Sequence, residues 1–289
     1  MIRFPYSFLL RPATLGGLSH VAIHSRFQDV SASMTFSLRF KPVRDRAATL
    51  FLSCLLAGCA VGEFSALSPV ELLKRDQPES FPVHGIDISK FQGEIDWPRA
   101  RSSGVAFAFI KATEGGDRFD ERFEQNWRAA ARAGVPRGAY HFYYFCRPAR
   151  DQAKWFIDHV PRDPKALPPV LDMEWNGHSP TCTKKPPRAT VLAEMREFVR
   201  RIERHYGRKP IIYSSVDFHR EILEGHFNDY LFWLRSVAGH PSTKYQARDE
   251  WLFWQYTGTG TVPGIAGEVD RNVFAGSQSD WKKWLASLK

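Results

Sequence analysis

The stretch LPPVLDMEW, Leu167 to Trp175, places two carboxylates one residue apart in a run that is otherwise apolar. Its composition reads as a buried strand, and in a strand residues i and i+2 point to the same side. Asp172 and Glu174 therefore share a face, while Met173 points the other way. Two like charges this close raise the cost of ionising both, so one carboxyl holds its proton to higher pH than the other. A proton donor beside a charged partner is what cleavage of a glycosidic bond requires. The plainer reading is that both acids pair with a nearby Lys or Arg at a sheet edge.

Other strand-like segments end in the same manner. Asp87 closes HGIDIS, Tyr140 and His141 sit in GAYHFYYF, Tyr213 in IIYSS, Gln255 and Tyr256 in WQYT, and Asp270 in GEVDRNVF. Aromatic faces stack on sugar rings and carboxylates bind hydroxyls, so acids and aromatics recurring at strand ends suit a carbohydrate groove. Tyr140 and Tyr213 read either as rim residues or as core, whereas His141 and Trp254 read as packing. Lys111 lies one strand period from Phe109 and is placed to pair with an inner acid.

The elements that must position these groups alternate between strands and amphipathic helices. Strands are expected at 83–88, 106–112, 138–145, 169–175, 210–214, 230–235, 252–256 and 268–274. Near-continuous apolar runs such as FAFIKAT fit strands covered on both faces. Helical spacing links Phe119, Phe123 and Trp127; Ala153, Phe156, Ile157 and Val160; and Leu192, Met195, Val199, Ile202 and Tyr206, the last series stopping at Gly207. Ser277 and Asp280 have capping-box spacing before a helix that buries Trp281, Trp284, Leu285 and Leu288. Five β-then-α units followed by closely spaced strands imply a parallel sheet curling into a modified (β/α) barrel, a single α/β domain over 81–289. In such barrels chemistry is assembled at the C-terminal ends of the strands.

The N-terminal part carries an export signal. Arg39, Lys41, Arg44 and Arg46 precede the apolar run AATLFLSCLLA, which ends in Leu-Ala-Gly-Cys at 56–59. The ending resembles a bacterial lipobox, with Cys59 as the lipid anchor of a membrane lipoprotein facing the periplasm or cell wall. An ordinary cleaved signal or a buried helix are the alternatives. The signal places residues 1–58 outside the mature protein, with Met34 a possible true start, and 59–80 as a tether. Cys146 and Cys182 remain, and in an oxidising compartment they either pair or stay as two thiols; pairing is predicted.

Of the +9 formal charge, residues 1–58 hold +5, leaving a mild +4 that suits an anionic polymer. No nucleic-acid motif occurs, no CxxC or HExxH suggests a metal, and GTGTVPG lacks the Lys-Ser/Thr of a phosphate loop. No cofactor is expected, and a monomer is.

Taken in order, GIDISKFQGEIDW, FAFIKATEG, GAYHFYYF, PPVLDMEW, PIIYSS, FWQYT and EVDRNVF resemble glycoside hydrolase family 25, the Chalaropsis-type lysozymes or N-acetylmuramidases. The resemblance runs from about Phe81 to Phe274. It implies a TIM-like (β/α)5(β)3 barrel and hydrolysis of the β-1,4 bond between N-acetylmuramic acid and N-acetylglucosamine in peptidoglycan, with retention. By the same resemblance Glu174 is the general acid and Asp172 orients the substrate's 2-acetamido group as nucleophile, an exception to the two-carboxylate scheme. Asp87 and Asp270 become substrate-binding or electrostatic support, with Tyr140, Tyr213, Gln255 and Tyr256 around them. The rival expectations are a non-catalytic peptidoglycan-binding lipoprotein and a chitinase-like barrel; chitinases carry a longer acidic run before DxE than PPVLDME does.

Overall fold

The computed structural model describes residues 76–245 and 250–288. The N-terminal extension, the signal segment with Met34, Cys59, and the tether as far as residue 75 lie outside the described residues. Among the described residues nine strands are present: β1 (His84–Ile88), β2 (Val105–Glu114), β3 (Arg118–Phe119), β4 (Arg137–Phe142), β5 (Val170–Met173), β6 (Ile211–Ser215), β7 (Phe232–Arg235), β8 (Phe253–Gly260) and β9 (Val269–Phe274). They hydrogen-bond in the order β1-β9-β8-β7-β6-β5-β4-β2-β3, and a further β1–β2 pairing closes eight of them into a barrel. Helices Trp97–Ser102, Phe123–Arg132, Ala149–His159, Arg188–Tyr206 and the short helical stretch beginning at Val216 follow β1, β2/β3, β4, β5 and β6 in turn. Among the described residues, the last three barrel strands have only the four-residue helix Pro241–Lys244 between them. This is the (β/α)5(β)3 arrangement.

The sheet is not wholly parallel, as the sequence reading had it. β9 runs antiparallel to both β1 and β8. With no helix between β8 and β9, the chain returns by a short loop, and a short loop joins antiparallel strands only. The first helical stripe also starts late. Phe119 belongs to β3 and pairs with Thr113, so the helix opens at Phe123. Asp120 holds the chain in that hairpin: its backbone N–H donates to Ala112 O, and its carboxylate accepts from the backbone N–H groups of Arg122 and Lys90. β5 ends at Met173, so Glu174 stands just beyond the last ladder pair, Met173 with Ser214.

Two apolar layers hold the barrel. Inside its lower half, Phe107, Phe109, Val170, Ile211, Trp233, Phe253 and Phe274 are buried together with Trp281 of the C-terminal helix (Gln278–Ser287). The rings interlock, with Phe109 stacked on Trp233 at 4.6 Å and Phe107 against Phe253 at 4.9 Å. Glycines make room for them: a Cβ on Gly85 would lie 2.5 Å from the Phe107 ring, and one on Gly138 2.9 Å from Phe109. Outward positions such as Ile86, Ile110, Leu171 and Ile212 pack beneath the helices. Period-two alternation thus sends apolar side chains to both faces, and polar ones stand inward toward the end of the barrel where the parallel strands finish and the antiparallel β9 begins.

Candidate active site

Among the inward positions at the rim, five side chains form a connected hydrogen-bond network. On β1, Asp87 is 7 % exposed. Its Oδ2 accepts from Gln255 Nε2 at 2.9 Å and from Asn272 Nδ2 at 2.8 Å. Each amide is fixed from its other end: Tyr213 Oη donates to Gln255 Oε1 at 2.9 Å, and Trp233 Nε1 donates to Asn272 Oδ1 at 2.8 Å. A chain of donors from β6, β7, β8 and β9 therefore ends on one carboxylate of β1. Asp270 lies directly across the β1–β9 ladder from Asp87 and is half-buried.

Asp172 differs from Asp87 in having no such support. It is 7 % exposed, and its Oδ1 is sealed from solvent without a hydrogen-bond partner. Buried polar atoms are nearly always paired in folded proteins, so the orphaned oxygen marks Asp172 as a carboxylate that the fold itself does not satisfy. Glu174, one residue past the strand, is half-buried. On the neighbouring side of the barrel Lys111 Nζ pairs with Glu114 Oε2 at 2.6 Å and lies 4.8 Å over the Phe142 ring. Glu114 also accepts from Tyr144 Oη at 2.6 Å. The partner of Lys111 is thus an acid at the end of its own strand, which the sequence reading did not single out.

Burial pushes all four carboxyl groups up, and neighbouring acids add to the rise of Asp87, Asp172 and Glu174. For Asp172 the cause is first burial and then the Glu174 charge, with Lys111 opposing, and the shift is well above the usual carboxylate range. Asp87 also rises well above it through burial and Asp270, against the pull of Asn272 and Gln255. Burial raises Glu174, with Arg235 opposing and Asp270 adding to the rise. Burial raises Asp270 too, again opposed by Arg235. The spacing of Asp172 and Glu174 predicts one raised carboxyl; all four rise because burial, the largest cause, acts on each of them separately.

Most of the predicted site residues converge. Tyr213 is buried and faces inward, its ring 4.6 Å from Trp233. Tyr140 is half-buried, with its ring edge toward Trp233. Burial, and then the charges of Asp87, Asp172 and Asp270, push the Tyr140 hydroxyl up, which places it in the same cluster. Tyr256 does not join them. It points to the outer face of β8, where its hydroxyl is 3.4 Å from His84 Nδ1 and Arg271 lies over its ring. It follows Gln255 directly, and adjacent strand residues cannot both face the groove. Trp254 also points outward and donates to Ser236 O. His141 is sealed between Thr113, Gln152 and the Phe198 ring, and burial lowers its pKa to about 4.

Asn272, Trp233 and Arg235 were missed by the sequence reading. Asn272 stands two residues after Asp270 in VDRNVF, so the same period-two argument could have found it. Cys146 and Cys182 are joined by a disulfide that ties the segment after β4 to the loop leaving Glu174. Among the described residues, no group of three or more His, Cys, Asp or Glu is placed to hold a metal ion.

An eight-stranded barrel with helices after its first five barrel strands, and four acids gathered at the C-terminal rim, defines a carbohydrate-cleaving barrel. Comparison with known proteins agrees. The chain matches the model of glycosyl hydrolases family 25 over residues 86–265 and belongs to that family. It is 36% identical over 236 residues to the protein YegX of Escherichia coli K12, covering 78% of this chain and 82% of that one. It is 36% identical over 210 residues to Lysozyme M1 of Streptomyces globisporus, covering 68% of each chain. Among solved structures, a family 25 glycosyl hydrolase from Bacillus anthracis superimposes with a TM-score of 0.67 at 33% identity, covering 72% of this chain and 95% of the other. The protein is a glycoside hydrolase.

Proposed function

We propose that the protein is a muramidase that hydrolyses the β-1,4 bond between N-acetylmuramic acid and N-acetylglucosamine in peptidoglycan. Family membership and the likeness to Lysozyme M1 support the substrate class. The observation that carries the mechanism is the buried, unpartnered Oδ1 of Asp172 beside Glu174. An acetamido N–H of the bound sugar supplies the missing donor and turns the acetamido oxygen toward the anomeric carbon. That hydrogen bond favours ionised Asp172. The charge formed there raises Glu174 further, so the proton resides on Glu174, where it is needed by the departing glycosidic oxygen. Asp172 then faces the positive charge of the oxazolinium intermediate, and Glu174 takes a proton from the incoming water. Both displacements occur at the same carbon, so configuration is retained.

Asp87, fixed by Gln255 and Asn272, and Asp270 hold substrate hydroxyls and tune the pair, with Tyr140 and Tyr213 framing the inner wall. The protein acts as an exported monomer, tethered to the membrane by a lipid on Cys59 and using no cofactor. An oxidising compartment also suits the Cys146–Cys182 disulfide. Digestion of purified peptidoglycan followed by mass spectrometry tests the bond choice, with muramic acid expected at the new reducing ends. N-acetylglucosamine at those ends would overturn it. Metabolic labelling with a fatty acid, wild type against Cys59→Ala, tests the anchor.

A further inference from the structure

The electrostatics of the rim leave one cation uncommitted. The two cations that act on the site's carboxyl groups are Lys111 and Arg235. Lys111 is engaged by Glu114 at 2.6 Å. Arg235, the last residue of β7, is exposed and forms no ion pair with any described residue. In register it stands beside Gln255, whose amide reaches Asp87, and its charge opposes the rise of both Glu174 and Asp270. Arg235 is two residues after the inward-facing Trp233 on β7, so its side chain leaves the rim on the inner side, with no ion-pair partner among the described residues.

The substrate class explains why such a group is needed. Muramic acid differs from N-acetylglucosamine by a 3-O-lactyl arm, which ends in a carboxylate or continues into a stem peptide bearing carboxylates. That arm is attached to the carbon next to the one carrying the acetamido group. A sugar whose acetamido group is held by Asp172 thus projects an anionic arm from a groove that already contains Asp87, Asp172, Glu174 and Asp270. The charge that acetamido binding leaves on Asp172 repels such an arm unless a cation offsets it. A planar guanidinium suits a carboxylate better than an ammonium does, because it offers two parallel N–H donors.

We propose that Arg235 binds the carboxylate carried on the lactyl arm of the muramyl residue and so contributes to recognition of muramic acid over N-acetylglucosamine. This rests on the muramidase reading above. The ligand chemistry is one carboxylate, and two sources supply it: the lactyl group itself in peptide-free glycan, or the stem peptide in intact wall.

The test uses three soluble glycan oligosaccharides, which carry a free lactyl carboxylate, the neutral lactyl methylamide, or an alanyl-glutamyl stem. Steady-state kinetics are measured for wild type, Arg235→Gln and Arg235→Lys. Arg235→Gln is expected to lose about tenfold or more in kcat/KM on an anionic substrate, mainly through KM, a size typical of a charge-assisted hydrogen bond. On the methylamide it loses little, and Arg235→Lys recovers part of the loss. Whichever anionic substrate shows the larger loss identifies the source. Equal losses on neutral and anionic substrates mean that Arg235 acts only on Glu174 and Asp270, and overturn the proposal. So does the absence of any loss. Should wild type cleave none of the three, the muramidase reading itself fails, and the assignment with it.

Discussion

Asp87 and Asp270 face each other directly across the antiparallel pairing of β1 and β9. Like charges at opposed positions destabilise a sheet. Here the pair is kept by two amide donors on Asp87, while Asp270 is left half-buried toward the groove. The rim therefore carries an electrostatic cost that does not serve folding. That cost makes its residues separable by experiment into those that act on substrate and those that hold the acids in place.

Glu174 is the group proposed to give its proton to the leaving oxygen. Glu174→Gln keeps the size and removes the acid, so the release of reducing ends from peptidoglycan should fall about 10²–10⁴-fold. The circular dichroism spectrum should be unchanged, because Glu174 lies outside the ladder of β5. A variant with more than a tenth of wild-type activity contradicts the assigned role.

Asp172 should show opposite effects on activity and stability. Its folded-state pKa is raised, so between the unfolded and folded values the native state binds more protons and stability falls as pH rises. Asp172→Asn removes that titration. At neutral pH the variant should be more stable than wild type, by roughly 1–3 kcal/mol if most of the desolvation cost is relieved, while losing activity. Below the ordinary carboxylate pKa the stabilisation should vanish, because wild-type Asp172 is then neutral in both states. Urea titrations at neutral and acidic pH compare the two.

Asn272 should behave as a positioning residue. Asn272→Leu removes a donor from Asp87 and orphans the indole N–H of Trp233, both in buried surroundings. A stability loss of about 1–3 kcal/mol is expected. Asp87 loses one of the two bonds that lower its pKa, so its carboxyl moves further up. Activity should consequently fall, and the pH–rate profile should shift, whereas a purely structural role would leave the profile in place. Asn272→Asp, which restores the shape but adds a charge beside Asp87, should not rescue it.

The disulfide closes a loop across 36 residues. In the chain-entropy picture that contributes about 3–4 kcal/mol. The double variant Cys146→Ser with Cys182→Ser should unfold at correspondingly lower urea concentration. Wild type measured in reductant should approach the variant, while the variant itself should not respond to reductant.

Much of the site was legible in the chain because the strand period is two. Asp172 with Glu174, and Gly85 with Asp87, share faces by that rule alone. It also predicts that Tyr256 must turn away once Gln255 turns in, and that Asn272 follows Asp270. The orientation of Tyr256 and that of Asn272 are therefore as legible in the chain as that of the Asp172–Glu174 pair. The start of the second helix was less accessible, since Phe119 fits the helical stripe and only contacts of Asp120 with residues distant in sequence hold it in a hairpin.

What the sequence determined by itself was local: which residues alternate, where turns interrupt them, and therefore which acids stand at strand ends. What only the tertiary structure decided was their company. Closing the barrel sets Asp270 opposite Asp87 and gives Lys111 to Glu114, while among the described residues Asp172 Oδ1 finds no donor and Arg235 no ion-pair partner. Charge interactions depend on separation and burial, and both are set by strands that meet only when β1 pairs with β2 and β9.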